Sequence, residues 1–215
     1  MKLNELFGRH VMFFVIICLS FGYIAKAGVT IMGRSVCTRE QMERFLLKNN
    51  PKAKAYVYLI PIFLEEGQAE GVRGDLAFAQ SLKETGFFKF GNDVHPGQNN
   101  FAGLGAVGGH ACGCSFKTAR EGERAQIQHL KAYGSTRALN FPCVDPRFNM
   151  PKRRCAVCFE DLGGRWACPG YDTKKFNSLE AAKRVKASYG DDIVRLWNEM
   201  KKMKRTRTRF RSNTF

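Results

Sequence analysis

Apolar side chains recur at helical spacing along much of this chain, and one such stretch leads to a single acid. Leu76, Ala79 and Leu82 lie three residues apart and predict a helix that carries Glu84 in its last turn. Gly86 follows two residues later, as glycine commonly does just past a helix end. The pattern therefore predicts a helix that presents an acid at its C-terminal end.

The same periodicity predicts two helices before this one. Thr38 and Gln41 have the spacing of a capping box, and the helix that begins there is expected to end before Pro51. The next helix is expected to kink or restart at Pro61 and to end near Gly67. Three helices thus occupy the first part of the chain.

Two further patterns predict helices after the acid. Thr118 and Glu121 again have capping-box spacing and open a helix over residues 122–133. A last helix is expected to start at Asp191 and to bury Ile193 on its apolar face. The fold class predicted from these patterns is mainly α, in one domain of ordinary size.

The stretch between residues 105 and 118 is rich in glycine and contains neither Asp nor Glu. Its composition favours a loop or a short β-hairpin over a helix.

Three aromatic residues, Phe87, Phe88 and Phe90, follow Glu84 closely. Burial among rings removes water from an ionised carboxylate and raises its pKa. Glu84 could then stay protonated near neutral pH and act as a general acid.

At these residues the chain resembles a known family. Ala79-Gln80-x-x-x-Glu84-Thr85-Gly86 is similar to the Ala-Gln-x-x-x-Glu-Ser-Gly signature of lysozyme-like wall hydrolases. With Asn99-Asn100-Phe101-Ala102-Gly103 behind it, the chain resembles the endo-β-N-acetylglucosaminidase domain of glycoside hydrolase family 73, from about residue 31 to the helix around Ile193. The resemblance implies a lysozyme-like helical domain with a small β-hairpin beside the active-site cleft, which cleaves peptidoglycan glycan strands after N-acetylglucosamine.

The resemblance also implies a set of site residues, with Glu84 as the catalytic acid. The residues expected to bind substrate or shape the cleft are Asn99, Asn100, Phe101, Trp166 and Tyr189. Tyr189 matches a family tyrosine that faces the active site, although a tyrosine in the core is an equal interpretation from the sequence. Trp166 could stack on a sugar or cover the core. No metal and no other cofactor is expected.

The second catalytic group is open. Relatives often supply a second acid from the hairpin, and this chain has none there. Asp93, Asp145 and Glu121 are candidates without a motif, and Glu121 is better explained as part of a helix cap. The 2-acetamido group of the substrate could replace such an acid, or a water held by Tyr189 and Asn100 could.

Other functions compete with this hypothesis. A muramidase or lytic transglycosylase would share the same Glu-Ser/Thr-Gly helix end. A Cys/His amidase could use the cysteines and His110, but the sequence has no cysteine at a helix start with a downstream histidine partner. A catalytically weak cell-wall-binding protein would explain the missing acid.

Residues 1–27 resemble an export signal. An apolar run over residues 11–24 follows Arg9 and ends at Ala25-Lys26-Ala27, a small-residue cleavage pattern. The run is shorter than the roughly 20 residues of a spanning helix, so a cleaved signal peptide is favoured over an N-terminal anchor. The catalytic domain is expected over residues 28–200, outside the cytoplasmic membrane.

The chain carries a formal net charge of +16, and a basic tail over residues 201–215 contains no acid. Behind an export signal, the available polyanions are phosphate polymers of the wall and the membrane surface, and nucleic acid is not an expected partner. A solvated tail without a partner is the alternative.

Cysteine usage leaves two alternatives open. Cys18 belongs to the apolar run, and the other seven cannot all pair within one molecule. Disulfides are favoured in an exported protein. A zinc knuckle is the alternative, and its candidate ligands are Cys112, Cys114, Cys155 and Cys158.

Overall fold

The structure is a computed structural model that describes residues 28–91, 95–106 and 113–204. The predicted export signal, Asp93, His110, Cys112 and the tail beyond residue 204 lie outside the described residues. In the described ranges, no helix has the length and apolar character needed to cross a membrane.

The described part of the chain is mainly helical, as predicted. Its α-helices are α1 (Arg39–Asn49), α2 (Leu59–Glu70), α3 (Gly74–Glu84), α4 (Ala119–Gly134), α5 (Leu179–Arg184) and α6 (Tyr189–Lys201). Short 3₁₀ helices occupy Pro51–Tyr56, Pro96–Gln98 and Phe159–Leu162.

Strand pairing within the described residues is limited to isolated bridges: Thr30 with Cys158, Met32 with Val72, and Gly163 with Ala167. The predicted β-hairpin between residues 105 and 118 has no strand in its described residues, and its middle lies outside them. The lysozyme-like details of the fold therefore stay a prediction.

The first helix begins and ends as predicted. The Thr38 hydroxyl accepts from the Gln41 amide at 3.3 Å, and the Gln41 side chain accepts from the Thr38 amide at 3.0 Å. This is the reciprocal capping box that the spacing indicates. After α1, Asn50 caps the 3₁₀ helix that starts at Pro51.

The boundary predicted for α2 at Gly67 was wrong, because α2 continues to Glu70. Gly67 lies where α2 crosses α3, and a Cβ at Gly67 would come within 2.7 Å of the Gly74 Cα. The glycine therefore serves a close helix crossing. Gly71, in the left-handed conformation with φ +72, follows the helix end.

Helix α3 lies at the centre of the domain. It packs against α2, α4 and α6. All nine residues from position 74 to position 82 are buried. A helix that is buried on every side is held by packing, so the position of Glu84 at its end is fixed by its neighbours.

Asp75 joins three parts of the chain at the start of α3. Its carboxylate is fully buried and accepts from the amides of Val36 and Cys37 at 2.8 and 3.0 Å. It also accepts from the indole N–H of Trp197 in α6 at 2.7 Å. Asp75 thus ties the N-terminal segment and α6 to the start of α3.

Helix α4 begins one turn earlier than predicted. Its cap is Thr118, whose hydroxyl accepts from the Glu121 amide at 3.2 Å. The Glu121 side chain accepts from the Lys117 amide at 3.0 Å instead of from Thr118. The structural interpretation of Glu121 is confirmed, although its partner is the residue before the cap.

Helix α6 begins at Tyr189, two residues before the predicted start. Ser188 caps it, and the Asp191 carboxylate accepts from the Ser188 amide at 3.2 Å. Ile193 and Trp197 are buried, as predicted. Lys201 ends the helix, so the first residues of the predicted tail are structured.

Candidate functional site

Glu84 is the last residue of α3, where the helix meets the turn at Gly86. Burial removes water from the carboxyl group and raises the pKa of Glu84 above its ordinary range. A hydrogen bond from Tyr189 and the charge of Lys83 oppose this shift without cancelling it. The shift has the direction that the sequence predicted, while the rings of Phe87, Phe88 and Phe90 pack against Phe45 and Tyr56.

Tyr189 contacts Glu84 directly, although 105 residues separate them in the chain. Its hydroxyl donates a hydrogen bond to Oε1 of Glu84. The ring is 7% exposed, and burial together with the neighbouring carboxylate raises the pKa of Tyr189 well above its ordinary range. Tyr189 is therefore a neutral donor at any physiological pH.

Two buried glutamines fix the direction of this hydrogen bond. The Gln80 amide nitrogen donates to the Tyr189 hydroxyl oxygen at 3.0 Å. The Gln80 carbonyl oxygen accepts from the Gln126 amide nitrogen at 3.0 Å, which fixes the orientation of the Gln80 amide. Because the tyrosine oxygen already accepts from Gln80, its single proton is directed to Glu84.

The hydrogen-bond network continues from Gln126 to Ser81 and Ala77. The side-chain carbonyl oxygen of Gln126 accepts from the Ser81 hydroxyl at 2.9 Å. The side-chain nitrogen of Gln126 also donates to the Ala77 carbonyl at 3.0 Å. Gln80, Gln126 and Ser81 are all at most 1% exposed. A fully satisfied buried network is rigid, so Oε1 of Glu84 is held as an acceptor.

The loop after residue 98 passes the other oxygen of Glu84. A Cβ at Gly103 would lie 3.6 Å from Oε2 of Glu84, and Gly103 has φ +64, which favours glycine. The loop is braced by Asn100, whose amide nitrogen donates to the carbonyls of Leu104 and Cys114, each at 2.9 Å.

The predicted substrate-binding residues of this loop have structural contacts. Asn100 uses its amide hydrogens within the loop, and its carbonyl oxygen accepts from the Leu104 amide at 2.9 Å, so its part in holding a water stays a prediction. Asn99 donates to the Phe116 carbonyl at 3.0 Å, and Phe101 packs edge-on against Phe88 in the core. These residues shape the loop beside Glu84, and direct contact with substrate stays a prediction for each.

Trp166 lies on the face of α4 that carries Gln126. Its half-buried ring packs edge-on against His129 at 5.0 Å and lies 6.0 Å from Tyr133, between ring centroids. His129 is buried and pairs with Asp145 at 2.8 Å. A sugar-stacking role for Trp166 stays a prediction.

The two described candidates for a second catalytic carboxylate have structural partners. Asp145 is 3% exposed, pairs with His129 and accepts from the Arg147 amide at 2.8 Å. Glu121 holds the start of α4. Among the charged groups of the described residues, Lys83 is the one that shifts the pKa of Glu84. Neither Asp145 nor Glu121 contributes to that shift.

A cavity of about 530 Å³ lies beside Tyr189 on the side of α6. The ion pair between Lys83 and Asp192, 2.8 Å long, forms part of its wall. Tyr171 and Phe176 contribute aromatic rings to the same wall. The cavity therefore offers both apolar faces and charged groups next to the tyrosine that contacts Glu84.

The cysteines within the described ranges are free thiols: Cys37, Cys114, Cys143, Cys155, Cys158 and Cys168. No predicted disulfide is formed among these six. Nor does this part of the chain bring three or more metal-binding side chains together in a possible metal site. The proposed zinc knuckle includes Cys112, which lies outside the described residues.

Sequence reasoning missed Gln126 altogether and gave Gln80 no role beyond its place in the motif. A weak signal for both was present in the sequence, because Gln80 lies one helical turn from Leu76 and Ala77, and Gln126 lies one turn from Leu130. Buried polar side chains of this kind need partners, and here they find each other.

One relative was found among curated proteins, an uncharacterized protein of Borreliella burgdorferi. It is 38% identical to this chain over 151 residues, which cover 69% of this chain and 74% of the relative. No family model and no solved structure matches this chain. The similarity thus extends over most of both proteins and is not confined to a short motif.

Proposed function

This chain belongs to the same protein family as the Borreliella burgdorferi protein, and we propose that it is an exported peptidoglycan hydrolase. Its reaction is that of an endo-β-N-acetylglucosaminidase, with Glu84 as the general acid. One observation carries the proposal: burial at the end of α3 raises the pKa of the Glu84 carboxyl group. The resemblance of the chain to family 73, which implies a lysozyme-like cleft with a hairpin, supports the choice of substrate.

The hydrogen-bond network supports the role of Glu84 as an acid. Hydrolysis of a glycosidic bond needs a proton for the leaving oxygen. Since Tyr189 donates to Oε1, that oxygen is an acceptor, and the acidic proton of Glu84 resides on Oε2. Oε2 is the oxygen beside Gly103, so the leaving group approaches from the loop that follows residue 98.

For the second step we propose assistance by the substrate. Asp145 and Glu121 are engaged in the contacts described above, and neither has a catalytic motif. The 2-acetamido group of N-acetylglucosamine can attack its own anomeric carbon and form a cyclic intermediate, which water then opens. This route requires one enzyme carboxyl group, and Glu84 supplies it first as acid and then as base.

Tyr189 and Trp166 are proposed as contacts of the glycan, and the cavity beside Tyr189 as space for part of the strand. The enzyme would act on the outer side of the cytoplasmic membrane, either released or anchored by residues 11–27. The basic tail would hold it near anionic wall polymers or the membrane surface.

The test is digestion of purified peptidoglycan by the wild-type protein and by Glu84→Gln, followed by reduction and mass spectrometry of the fragments. We expect reducing N-acetylglucosamine ends from the wild type alone. Reducing muramic acid ends would instead identify a muramidase, and anhydro-sugar ends a lytic transglycosylase. Glycan binding without any release, by protein shown to be folded, would identify a wall-binding protein.

A further inference from the structure

A second concave surface lies at the far end of α3 from Glu84. It is a groove of about 760 Å³ between the C-terminal ends of α2 and α4. With a rise of about 1.5 Å per residue, the length of α3 separates this groove from Glu84 by roughly 15 Å. Its ligand would therefore be bound independently of the reacting bond.

Three arginines that line this groove carry uncompensated charge. Arg34, Arg137 and Arg154 are exposed, and none forms an ion pair with a described residue. Their guanidinium groups remain charged at all physiological pH values. A concave surface that collects charge of one sign raises the local concentration of counter-ions.

Glu70 is the one acid among the described residues that line the groove, and it is already neutralised. Glu70 is 2% exposed and accepts from the Lys131 ammonium group at 2.6 Å. It also accepts from the backbone amides of Asn140 and Phe141 at 3.0 and 3.1 Å. Glu70 and Lys131 thus cancel each other, and the three arginines determine the net positive charge of the groove.

The backbone that carries the three arginines is fixed by hydrogen bonds. The Arg34 carbonyl accepts from the Arg73 guanidinium at 3.2 Å, and the Arg137 carbonyl accepts from the Arg153 guanidinium at 2.9 Å. The Arg154 amide donates to the Ala132 carbonyl at the end of α4 at 3.0 Å. Two further arginines, Arg73 and Arg153, therefore hold the segments that present Arg34 and Arg137.

We propose that this groove, which we call the arginine groove, binds a polymer or surface that carries phosphate groups. A phosphate offers more acceptor oxygens than a carboxylate and can receive hydrogen bonds from several guanidinium groups at once. The groove is much larger than one phosphate, which fits a ligand with repeated groups. Soluble phosphate polymers and anionic lipid headgroups share this chemistry.

The proposal goes beyond catalysis at Glu84, because it concerns where the protein is held. Binding can be measured on the full chain with short-chain inorganic polyphosphate by calorimetry, and with phosphatidylglycerol vesicles by sedimentation. The groove variant is R34Q/R137Q/R154Q. The matched control, K48Q/K52Q/K54Q, removes three exposed charges outside the groove.

We expect the groove variant to bind at least about tenfold more weakly than the wild type, and the control to bind within about twofold of it. If the groove variant loses binding to polyphosphate, the ligand is a soluble polymer. If it loses binding to vesicles alone, the ligand is a lipid surface. Equal weakening in both variants would overturn the proposal, because binding would then follow net charge. The proposal would also be overturned if the wild type bound neither probe. It would be overturned as well if polyglutamate of the same charge competed for binding as strongly as polyphosphate.

Discussion

The hydroxyl of Tyr189, the first residue of α6, donates a hydrogen bond to the carboxylate of Glu84, the last residue of α3. A donor at this position stabilises the ionised form of the acid, whereas burial of the same carboxyl group stabilises its protonated form. The two effects act on one group in opposite directions. Burial is the larger, and variants can separate the two.

Tyr189→Phe should lower the rate of glycan cleavage by about tenfold and alter its pH dependence. In the proposed mechanism Glu84 acts in its protonated form, so activity falls as pH rises through its pKa. Without the tyrosine proton that pKa rises further, and the basic limb of the kcat/KM profile should move to higher pH. A limb that moves to lower pH, in protein of unchanged fold, would contradict the proposed role of Tyr189.

Gln80→Met should free the Tyr189 hydroxyl to point elsewhere and so change the same pH profile. The matched control is Gln128→Met, because Gln128 is equally buried and holds the chain near Pro142 through its own amide. Each variant should lose about 1–3 kcal/mol of unfolding free energy. A pH profile is expected to shift only for Gln80→Met, and a shift in both would assign the effect to loss of stability.

Glu123→Gln should stabilise the protein at neutral pH. Both carboxyl oxygens of Glu123 are buried and have no hydrogen-bond partner among the described residues. Burial, with the charges of Glu66 and Glu65 reinforcing it against that of Arg120, raises the pKa of Glu123 well above its ordinary range. The folded state thus binds a proton that the unfolded state releases above about pH 4.3.

The gain from Glu123→Gln should therefore be absent at pH 4 and grow as the pH rises to 8. We expect at least about 1 kcal/mol at neutral pH, measured by urea denaturation. The exposed Glu180, replaced in the same way, should change stability by less than about 0.5 kcal/mol throughout. A destabilised Glu123→Gln protein at pH 8 would refute this assignment.

Asp75→Ala should cost about 3–5 kcal/mol, because it leaves buried amides and the Trp197 indole without an acceptor. Trp197→Phe should cost less on its own. In a double-mutant cycle the two losses should be non-additive by about 0.5–3 kcal/mol, since both remove one hydrogen bond. Additive losses would show that the bond between Asp75 and Trp197 contributes nothing.

Local signals in the sequence predicted much of the helical framework. The cap at Thr38, the stop before Pro51 and the end of α3 near Gly86 follow from the chemistry of single residues and were confirmed. The boundary at Gly67 failed for a physical reason. A glycine can end a helix or allow two helices to cross, and only the position of Gly74 decides between them.

The candidate site could be predicted only in part. Glu84 entered through the helical pattern and its aromatic neighbours, and Tyr189 through the family resemblance. Their contact could not be derived from periodicity, because it joins residues far apart in the chain. Gln80 and Gln126 show the limit clearly. Each lies one helical turn from apolar residues in the sequence, but its partner is determined by how α3 and α4 pack.

The buried carboxylate of Asp75 also affects the order in which the chain can fold. Its contact with Trp197 spans 122 residues, and the side chain of Gln41 reaches the Lys201 carbonyl across 160. As the chain emerges from its N-terminal end, during synthesis or export, helices α1 to α4 appear before the segment that completes their core. A chain that stops short of α6 would expose apolar surface and the acid that is otherwise buried, so passage beyond the aggregation-prone stage of folding depends on α6.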